Sequence, residues 1–164
     1  MGAQARLEKL GPEAGRDSGA EDGAVETLAQ GVWQWLRACP ELSDGIGVDY
    51  LKDGAGAFAL RALPSALNVR RNICGDLEPL PEQTQDFALA HRAPCGQQAR
   101  QSLDSLRRLG RVAAWIAAQN AAGRLPLWDG GTVTGVVADP MAALTQAGAD
   151  TARYELRMRF YYRA

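Results

Sequence analysis

Histidine, cysteine and long apolar runs are scarce in this chain of 164 residues. It has one histidine, His91, and three cysteines, Cys39, Cys74 and Cys95, which are spaced 35 and 21 residues apart. An odd number at such wide spacing fits neither a disulfide framework nor a paired C-x-x-C zinc site. A zinc ion would need all four side chains together, whereas structural zinc ligands usually occur in close local pairs. We therefore expect reduced, partly buried thiols and no bound metal or other cofactor.

Long apolar segments and dense basic runs are missing as well. No stretch approaches about 18 consecutive apolar residues, so we expect no transmembrane helix. Residues 1–20 lack the apolar core of a secretory signal. Nucleic-acid-binding proteins usually contain a concentrated basic region, but the net charge here is −1 and no such region occurs. These absences predict a soluble cytoplasmic protein without membrane insertion or specific nucleic-acid binding.

The strongest positive signal is the last segment, Thr151 to Arg163, in which apolar and polar residues alternate. A period of two places one set of side chains on each face of a β-strand. One face is apolar, and the other carries four arginines together with Glu155 and Tyr161. The segment therefore predicts a strand much longer than the usual length of about five or six residues.

Two helices and several shorter strands are expected before this strand. The first helix runs from a capping-box sequence at 18–21 to Cys39, and the second from 97 to 122, ending before Gly123. The apolar stripe of the second helix is predicted as Ala99, Leu103, Leu106, Gly110, Ala113 and Ala117, widened by Leu109, Val112 and Ile116. Strands are predicted at 46–50, 57–63, 68–74, 86–92 and 132–138, with a loop at 76–85 and a short helical or loop link at 140–150.

This order of elements predicts an α+β fold. Both helices can bury their apolar stripes on one face of a mainly antiparallel sheet of about five or six strands. Residues 1–20 have few large apolar side chains and are expected to form a mobile extension. Residues 21–164 are expected to form a single domain.

Two features could indicate catalysis or phosphate binding. Cys95 and His91 could form a nucleophile–base pair, but no third group or oxyanion donor is visible. His91 shares a predicted strand face with apolar residues, so we expect a partly buried structural histidine. The Gly-x-Gly at 54–56 lies between two strands and does not open a helix, which favours a hairpin turn over a phosphate loop.

Arginines on the last strand and the second helix are the candidate interaction residues. Residues 1–53 carry ten acids and five bases, and residues 54–164 carry nine acids and thirteen bases. Patches of unlike charge favour head-to-tail contacts between copies, which form a ring if the rotation closes. The acids that could take part are Glu21, Asp22, Glu26, Glu41, Asp44 and Asp49. The candidate interface residues are Arg153, Arg157, Arg159, Tyr161, Arg107, Arg108 and Arg111. A solvated face and a nucleic-acid path are the alternatives.

Five pieces of sequence, spread in order over residues 25–164, add a resemblance. They are Trp-Leu-Arg-Ala-Cys-Pro (35–40), Ile-Gly-Val-Asp-Tyr-Leu (46–51), Phe-Ala-Leu-Ala-His-Arg (87–92), the helix with Trp115-Ile116, Gln119 and Gly123-Arg-Leu-Pro126, and Tyr154-Glu-Leu-Arg-Met-Arg-Phe-Tyr-Tyr162. In order and spacing they resemble a family of small tailed-phage and prophage structural proteins. These proteins are described as tail terminator (tail completion) or minor capsid proteins.

The resemblance implies an α+β subunit that assembles into a six-fold ring on the growing tail tube. Such a ring ends tube polymerisation and presents a surface for joining to the head. The implied partners are further copies of the chain, the tail tube protein and a head-completion or connector protein, in the bacterial host cytoplasm and then in the virion tail or neck. It implies no catalysed reaction. Another connector, neck or baseplate component is the alternative, and a small cytosolic enzyme built around Cys95 is the alternative from a different class.

Overall fold

The computed structural model describes residues 27–94 and 99–164. The helices in these ranges are α1 (Leu28–Leu36) and α2 (Ala99–Ala121), and a 3₁₀ turn spans Pro40–Leu42. The strands are β1 (Gly47–Val48), β2 (Phe58–Ala62), β3 (Val69–Arg71), β4 (Leu77–Pro79), β5 (Gln83–Pro94), β6 (Leu127–Trp128), β7 (Gly131–Ala138), β8 (Ala143–Ala147) and β9 (Thr151–Arg163).

A seven-stranded, mainly antiparallel sheet forms the body of the protein, with β9 near its centre. The strand order is β1-β2-β5-β9-β7-β6, and β8 also pairs with β9. Strand β9 pairs with β5 from Thr151 to Tyr162. On its other side it pairs with β7 towards its C-terminal end and with β8 towards its N-terminal end. The predicted α+β class is therefore confirmed, with more strands than expected.

One face of the sheet, which we call the helix face, packs against both helices. The alternate residues of β9 from Ala152 to Phe160 are buried there, as the period of two predicted. The core also contains Val32 and Leu36 of α1, Leu109, Val112 and Ile116 of α2, and Phe87 and Leu89 of β5. Each such side chain contributes about 1.5–3 kcal/mol on burial, so this layer supplies most of the folding free energy.

Trp35 joins α1 to both the sheet and α2. The centroid of its ring lies 4.9 Å from that of Trp115 and 5.8 Å from that of Phe160. Its indole Nε1 donates a hydrogen bond to the carbonyl oxygen of Arg124, at 2.8 Å. Trp35 is partly buried, and an indole N–H in such a position usually finds an acceptor; here the acceptor fixes the end of α2 against α1.

The buried stripe of α2 differs from the predicted one. Leu103, Gly110 and Ala117 are exposed, whereas the residues expected only to widen the stripe, Leu109 and Ile116 among them, are its fully buried centre. Both sets of residues have helical spacing, so periodicity alone did not decide which of them meets the sheet. The predicted end of the helix is confirmed, since Gly123 follows it with a φ of +68°.

Three other local predictions were wrong. The link at 140–150 contains β8, whose five residues are all exposed and show no alternation. The loop at 76–85 contains β4 and the start of β5. The Gly-x-Gly at 54–56 connects β1 and β2, which pair in parallel, so it is not a hairpin turn.

Helix α1 begins after Thr27, which has an extended backbone and whose hydroxyl accepts the N–H of Gln30 at 3.1 Å. Thr27 is therefore the residue that caps α1. The capping box predicted at 18–21 and the mobile extension predicted for 1–20 lie outside the described residues.

Candidate assembly surfaces

The sheet face opposite the helices, which we call the outer face, is formed by alternate residues of β5 and β9. Ala88 and Ala90 are buried near its centre, directly opposite Arg157 and Glu155. Long arginine and glutamate side chains can cover such small residues while their charged ends remain in water. The structure thus brings together four of the predicted interface residues on this face: Arg153, Arg157, Arg159 and Tyr161.

Two carboxylates pair with several of these arginines inside the chain. Arg159 donates two hydrogen bonds to Asp86, at 2.7 and 2.9 Å. These bonds hold the pKa of Asp86 below its ordinary value. Glu155 lies 3.0 Å from Arg61 and 2.9 Å from Arg153. Bidentate and shared pairs of this kind fix the direction of the side chains, so much of the outer face is ordered by its own charges.

Arg157 differs from its neighbours on β9. The ion pairs of the described residues on this face involve the other arginines and omit Arg157. It lines a cleft of about 270 Å³ together with Val137 and Asp139. Its side chain is therefore the predicted interface arginine that is most available to a partner.

The predicted interface residues of α2 lie elsewhere and are paired within the chain. Arg111 donates to Glu41 at 2.7 Å, and Arg108 donates to the backbone carbonyl of Glu41 at 2.7 Å. The hydrogen bonds from Arg111 lower the pKa of the Glu41 carboxyl. Arg107 pairs with Asp104 on its own helix at 3.0 Å. Glu41, which the sequence nominated for contacts between copies, instead ties the 3₁₀ turn to α2. The interface role of these arginines stays a prediction.

A second surface, which sequence reasoning missed, is the hairpin formed by β3 and β4. We call residues 67–80 the arm. Val69 lies opposite Pro79, and Arg71 lies opposite Leu77, so these four side chains share one face of the hairpin. The apolar residues of the arm are exposed: Leu67, Val69, Ile73, Leu77 and Leu80. Exposed apolar side chains grouped in this way typically mark a surface of protein contact.

The arm is held by hydrogen bonds at its root and at its tip. The buried side chain of Gln83 accepts the N–H of Asn68 at 2.8 Å and donates to the carbonyl oxygens of Asn68 and Leu80, at 3.0 and 2.7 Å. At the tip, the side-chain oxygen of Asn72 accepts the N–H groups of Cys74 and Asp76, each at 2.9 Å. An isolated two-stranded hairpin is only marginally stable. These bonds therefore give the arm an order that its apolar residues do not provide.

A third surface follows the edge of the sheet along β7 and β8. Val137, Met141 and Leu144 are exposed there, and we call these three residues the edge strip. Val137 lies beside Arg159, and Ala143, between Met141 and Leu144, lies beside Glu155. Val137 therefore lies on the outer face near Arg157, whereas Leu144, which is paired with Tyr154, lies on the helix side of the same sheet edge.

The residues considered for catalysis do not form a site in the part of the chain that the structure describes. His91 is 2% exposed, stacks on Phe58 with ring centroids 4.1 Å apart, and has its Nδ1 3.2 Å from the carbonyl oxygen of Ala57. Burial lowers its pKa to about 4. The predicted place of His91 on the apolar face of its strand is confirmed, and the side chain is more deeply buried than expected. Cys95, the proposed nucleophile, lies outside the described residues.

Two of the three cysteines lie in the described residues, and their positions bear on metal binding. Cys39 is buried, and Cys74 is exposed at the tip of the arm. Among the residues of known placement, no three histidine, cysteine, aspartate or glutamate side chains come together to hold a metal ion. Neither α1 nor α2 is long and apolar enough to cross a membrane.

No protein-family profile matches this chain, and no curated protein matches it.

Sequence signals for the arm were present but weak. The run Asn72-Ile73-Cys74-Gly75-Asp76 contains turn-forming residues between two short apolar stretches. Gly75 has a φ of +90°, a value that glycine adopts readily, which is typical of a tight hairpin turn. The two prolines of the following segment favoured a loop, and they obscured β4.

Proposed function

We propose that this chain is a structural subunit of a tailed-phage or prophage particle. Copies of it form a ring on the tail tube, end the polymerisation of the tube and prepare it for joining to the head. The resemblance of the five sequence pieces to tail terminator proteins supports this proposal, as does the α+β fold. The subunit acts in the bacterial host during assembly and then remains in the virion tail.

The observation that carries the proposal is the presence of two unlike uncovered surfaces on one chain. The arm leaves the sheet between β2 and β5, whereas the edge strip lies beyond β9, so the strands β5 and β9 separate them. Contacts between unlike surfaces are head-to-tail, and they close into a ring when the rotation between copies permits it. A ring on a tube end needs this kind of contact.

The charges of the outer face suggest how the ring responds to salt. Arg157 has no ion-pair partner in the described part of the chain, and it lies next to the edge strip. Charges at the rim of an interface strengthen association mainly at low ionic strength. The proposed ring should therefore loosen as salt increases.

Native mass spectrometry over a concentration series, at low and moderate salt, tests ring formation. We expect a hexamer that dissociates more readily at moderate salt. The same samples, mixed with polymerising tail tube protein, should cap the tubes in electron micrographs and shorten them. A strict dimer, or a monomer that leaves tube length unchanged, would contradict the proposal.

The variant Arg157→Glu tests whether the charge of Arg157 contributes to self-association, and Arg124→Glu is its matched control. Arg124 is also exposed, and its substitution by glutamate makes the same change of charge. It follows α2, however, and lies away from the outer face. We expect weaker self-association for Arg157→Glu and unchanged association for Arg124→Glu. Equal behaviour of the two variants would refute a role for the outer face.

A further inference from the structure

We propose that a cleft between β5, β8 and β9 binds one phosphate group, held by the guanidinium groups of Arg92 and Arg153. The cleft has a volume of about 70 Å³ and is lined by Arg92, Gln146, Gly148, Thr151, Ala152 and Arg153. The inference does not depend on the proposed function, because the site lies within one copy of the chain.

Three neighbouring strands bring the polar side chains of the cleft into one row. Arg92 of β5 lies directly opposite Arg153 of β9, and Arg153 also lies opposite Gln146 of β8. Residues that lie opposite one another share a face of the sheet, with Cβ atoms about 4.5–5.5 Å apart. Thr151, two residues before Arg153, lies on the same face. The outer face therefore carries two guanidinium groups, an amide and a hydroxyl near the start of β9.

The placement of the two arginines is unfavourable unless a further group compensates it. Like charges that lie directly opposite each other on a sheet repel. In addition, the Nε atoms of Arg92 and Arg153 are the two buried side-chain nitrogen or oxygen atoms, among the described residues, that have no hydrogen-bond partner. Native structures usually satisfy such donors with a protein atom, a water molecule or an ion. Both observations indicate that a negatively charged acceptor belongs between these side chains.

The nearby carboxylates do not neutralise this cluster. Glu155 lies 2.9 Å from Arg153, but the same carboxylate oxygen lies 3.0 Å from Arg61. Asp53 lies 4.0 Å from Arg92, and its side chain is 95% exposed, so water and salt screen most of that attraction. Three guanidinium groups therefore face two carboxylates, one of which is weakly engaged. The remaining positive charge favours an anion in the cleft.

The size of the cleft and the geometry of its donors favour a phosphate group. The volume suffices for several water molecules, and hence for one tetrahedral oxyanion, but not for a nucleoside. The fork of a guanidinium fits two oxygens of one phosphate group, so the two arginines together can use all of its free oxygens. A carboxylate or a phosphodiester has only two free oxygens and would leave donors unused. A small turn of each arginine side chain would aim its covered Nε–H at the bound anion.

Titration of the full chain with inorganic phosphate, followed by the line width in phosphorus NMR at constant ionic strength, tests the site. We expect saturable broadening that corresponds to one phosphate per chain. Saturation distinguishes a site from the general stabilisation of proteins by excluded phosphate. Acetate at the same ionic strength should not displace the bound phosphate. A lack of saturable broadening, or displacement by acetate, would overturn the proposal.

A second titration, with glycerol phosphate, distinguishes two sources of the phosphate group. Tighter binding of inorganic phosphate would assign the site to the free ion. Tighter binding of glycerol phosphate would assign it to the terminal phosphate of a larger molecule. Either result supports the site, whereas competition by an oligonucleotide without terminal phosphates would overturn the choice of this ligand over a phosphodiester.

The variant Arg92→Gln removes one guanidinium group and retains a polar side chain. Its matched control is Arg124→Gln, which makes the same change of charge at an exposed position after α2. We expect Arg92→Gln to bind phosphate at least about tenfold more weakly, and Arg124→Gln to bind it as the unmodified protein does. Equal losses in the two variants would show that phosphate responds only to net charge, and would overturn the site.

The variant Arg153→Lys provides a measurement in which the charge is kept. Lysine can still pair with Glu155, but it lacks the fork that holds two oxygens. We expect weaker phosphate binding here as well, and unchanged affinity would overturn the assignment to a pair of guanidinium groups.

Thermal unfolding separates a binding role of Arg92 from a purely structural one. Without phosphate, Arg92→Gln should melt at the temperature of the unmodified protein or above it, because the repulsion between the opposed arginines is gone. With saturating phosphate the unmodified protein should melt at the higher temperature, because the ligand binds its native state more tightly. A variant that melts lower by the same amount in both buffers would show that Arg92 only supports the fold, and would overturn the proposal.

Discussion

Protonation of His91 should destabilise the fold at mildly acidic pH, and the chain allows this effect to be assigned to one residue. His91 is the only histidine in the sequence. Its buried ring stacks on Phe58 of the core, and the guanidinium of Arg108 lies 4.8 Å from the centroid of that same phenyl ring. Burial, together with the positive charge of Arg108, lowers the pKa of His91 to about 4. The native state therefore holds a neutral imidazole.

The sign and size of the effect follow from this pKa. The pKa of the ring is 6.5 without these effects and about 4 in the fold, so between these values the unfolded chain binds a proton that the native state does not. Stability is complete above pH 6.5 and falls as the pH falls towards 4, with a slope that approaches about 1.4 kcal/mol per pH unit. Between pH 7.5 and pH 5 the loss is about 2 kcal/mol. In a domain of this size it lowers the melting temperature by about 4–8 °C.

Urea unfolding followed by tryptophan fluorescence, at intervals of half a pH unit or so between pH 7.5 and 5, measures this slope. The comparison variant is His91→Asn, whose side-chain amide can donate to the carbonyl oxygen of Ala57 but does not titrate. The variant should be less stable at pH 7.5 because it leaves space beside Phe58, yet its stability should depend much less on pH over this range. Equal slopes for the two proteins would refute the argument, because the pH dependence would then arise from other groups.

Three further predictions concern the core and the turns. Leu109→Ala should cost about 2–5 kcal/mol of unfolding free energy, because Leu109 is fully buried at the centre of the α2 stripe. Leu103→Ala should cost much less, because Leu103 is exposed. Chemical denaturation measures both losses, and similar losses would contradict the observed stripe. Gly123→Ala should cost about 1 kcal/mol, since its φ of +68° is unfavourable for alanine but the space is open. Gly131→Ala should cost at least about 2 kcal/mol in the same assay, because its new methyl group would overlap the backbone of Arg163.

The sequence predicted the central strand well because both of its faces carry a signal. In β9 the apolar face meets the helices and the polar face meets water, so the period of two extends over the whole strand from Thr151 to Arg163. The class of the fold followed from that strand and from the two amphipathic helices. The end of α2 was also predictable, since Gly123 supplies the backbone conformation that a helix C-terminus needs.

The elements that were missed have no buried face that could produce a pattern. Strand β8 contains exposed alanine, leucine, threonine and glutamine, and it is held by hydrogen bonds to β9. Strands β3 and β4 are three residues each and pair only with one another. The start of β5 is polar because Gln83 anchors the arm, so apolar alternation begins only at Phe87. Backbone pairing without burial leaves little trace in the order of residues.

The candidate surfaces were predictable only in part for a related reason. Alternation placed Arg153, Arg157 and Arg159 on one face, but it could not show that Asp86 and Glu155 neutralise two of them from within the chain. Such pairs depend on the register of β5 against β9, in which Asp86 lies opposite Arg159. The register of two strands is a tertiary property that the sequence does not show. From the sequence alone, therefore, all three arginines looked equally available to a partner.

Folding and the proposed assembly use different residues, and this separation allows each to be tested without the other. The core lies on the helix face, whereas the arm, the edge strip and Arg157 contribute no side chain to that core. Substitutions on these surfaces should therefore change association while leaving the unfolding free energy within about 0.5 kcal/mol, as is usual for exposed positions. Substitutions such as Leu109→Ala should do the reverse while the protein remains folded. A surface variant that altered both equally would show that the arm is part of the fold, and its exposed apolar side chains would then need another explanation.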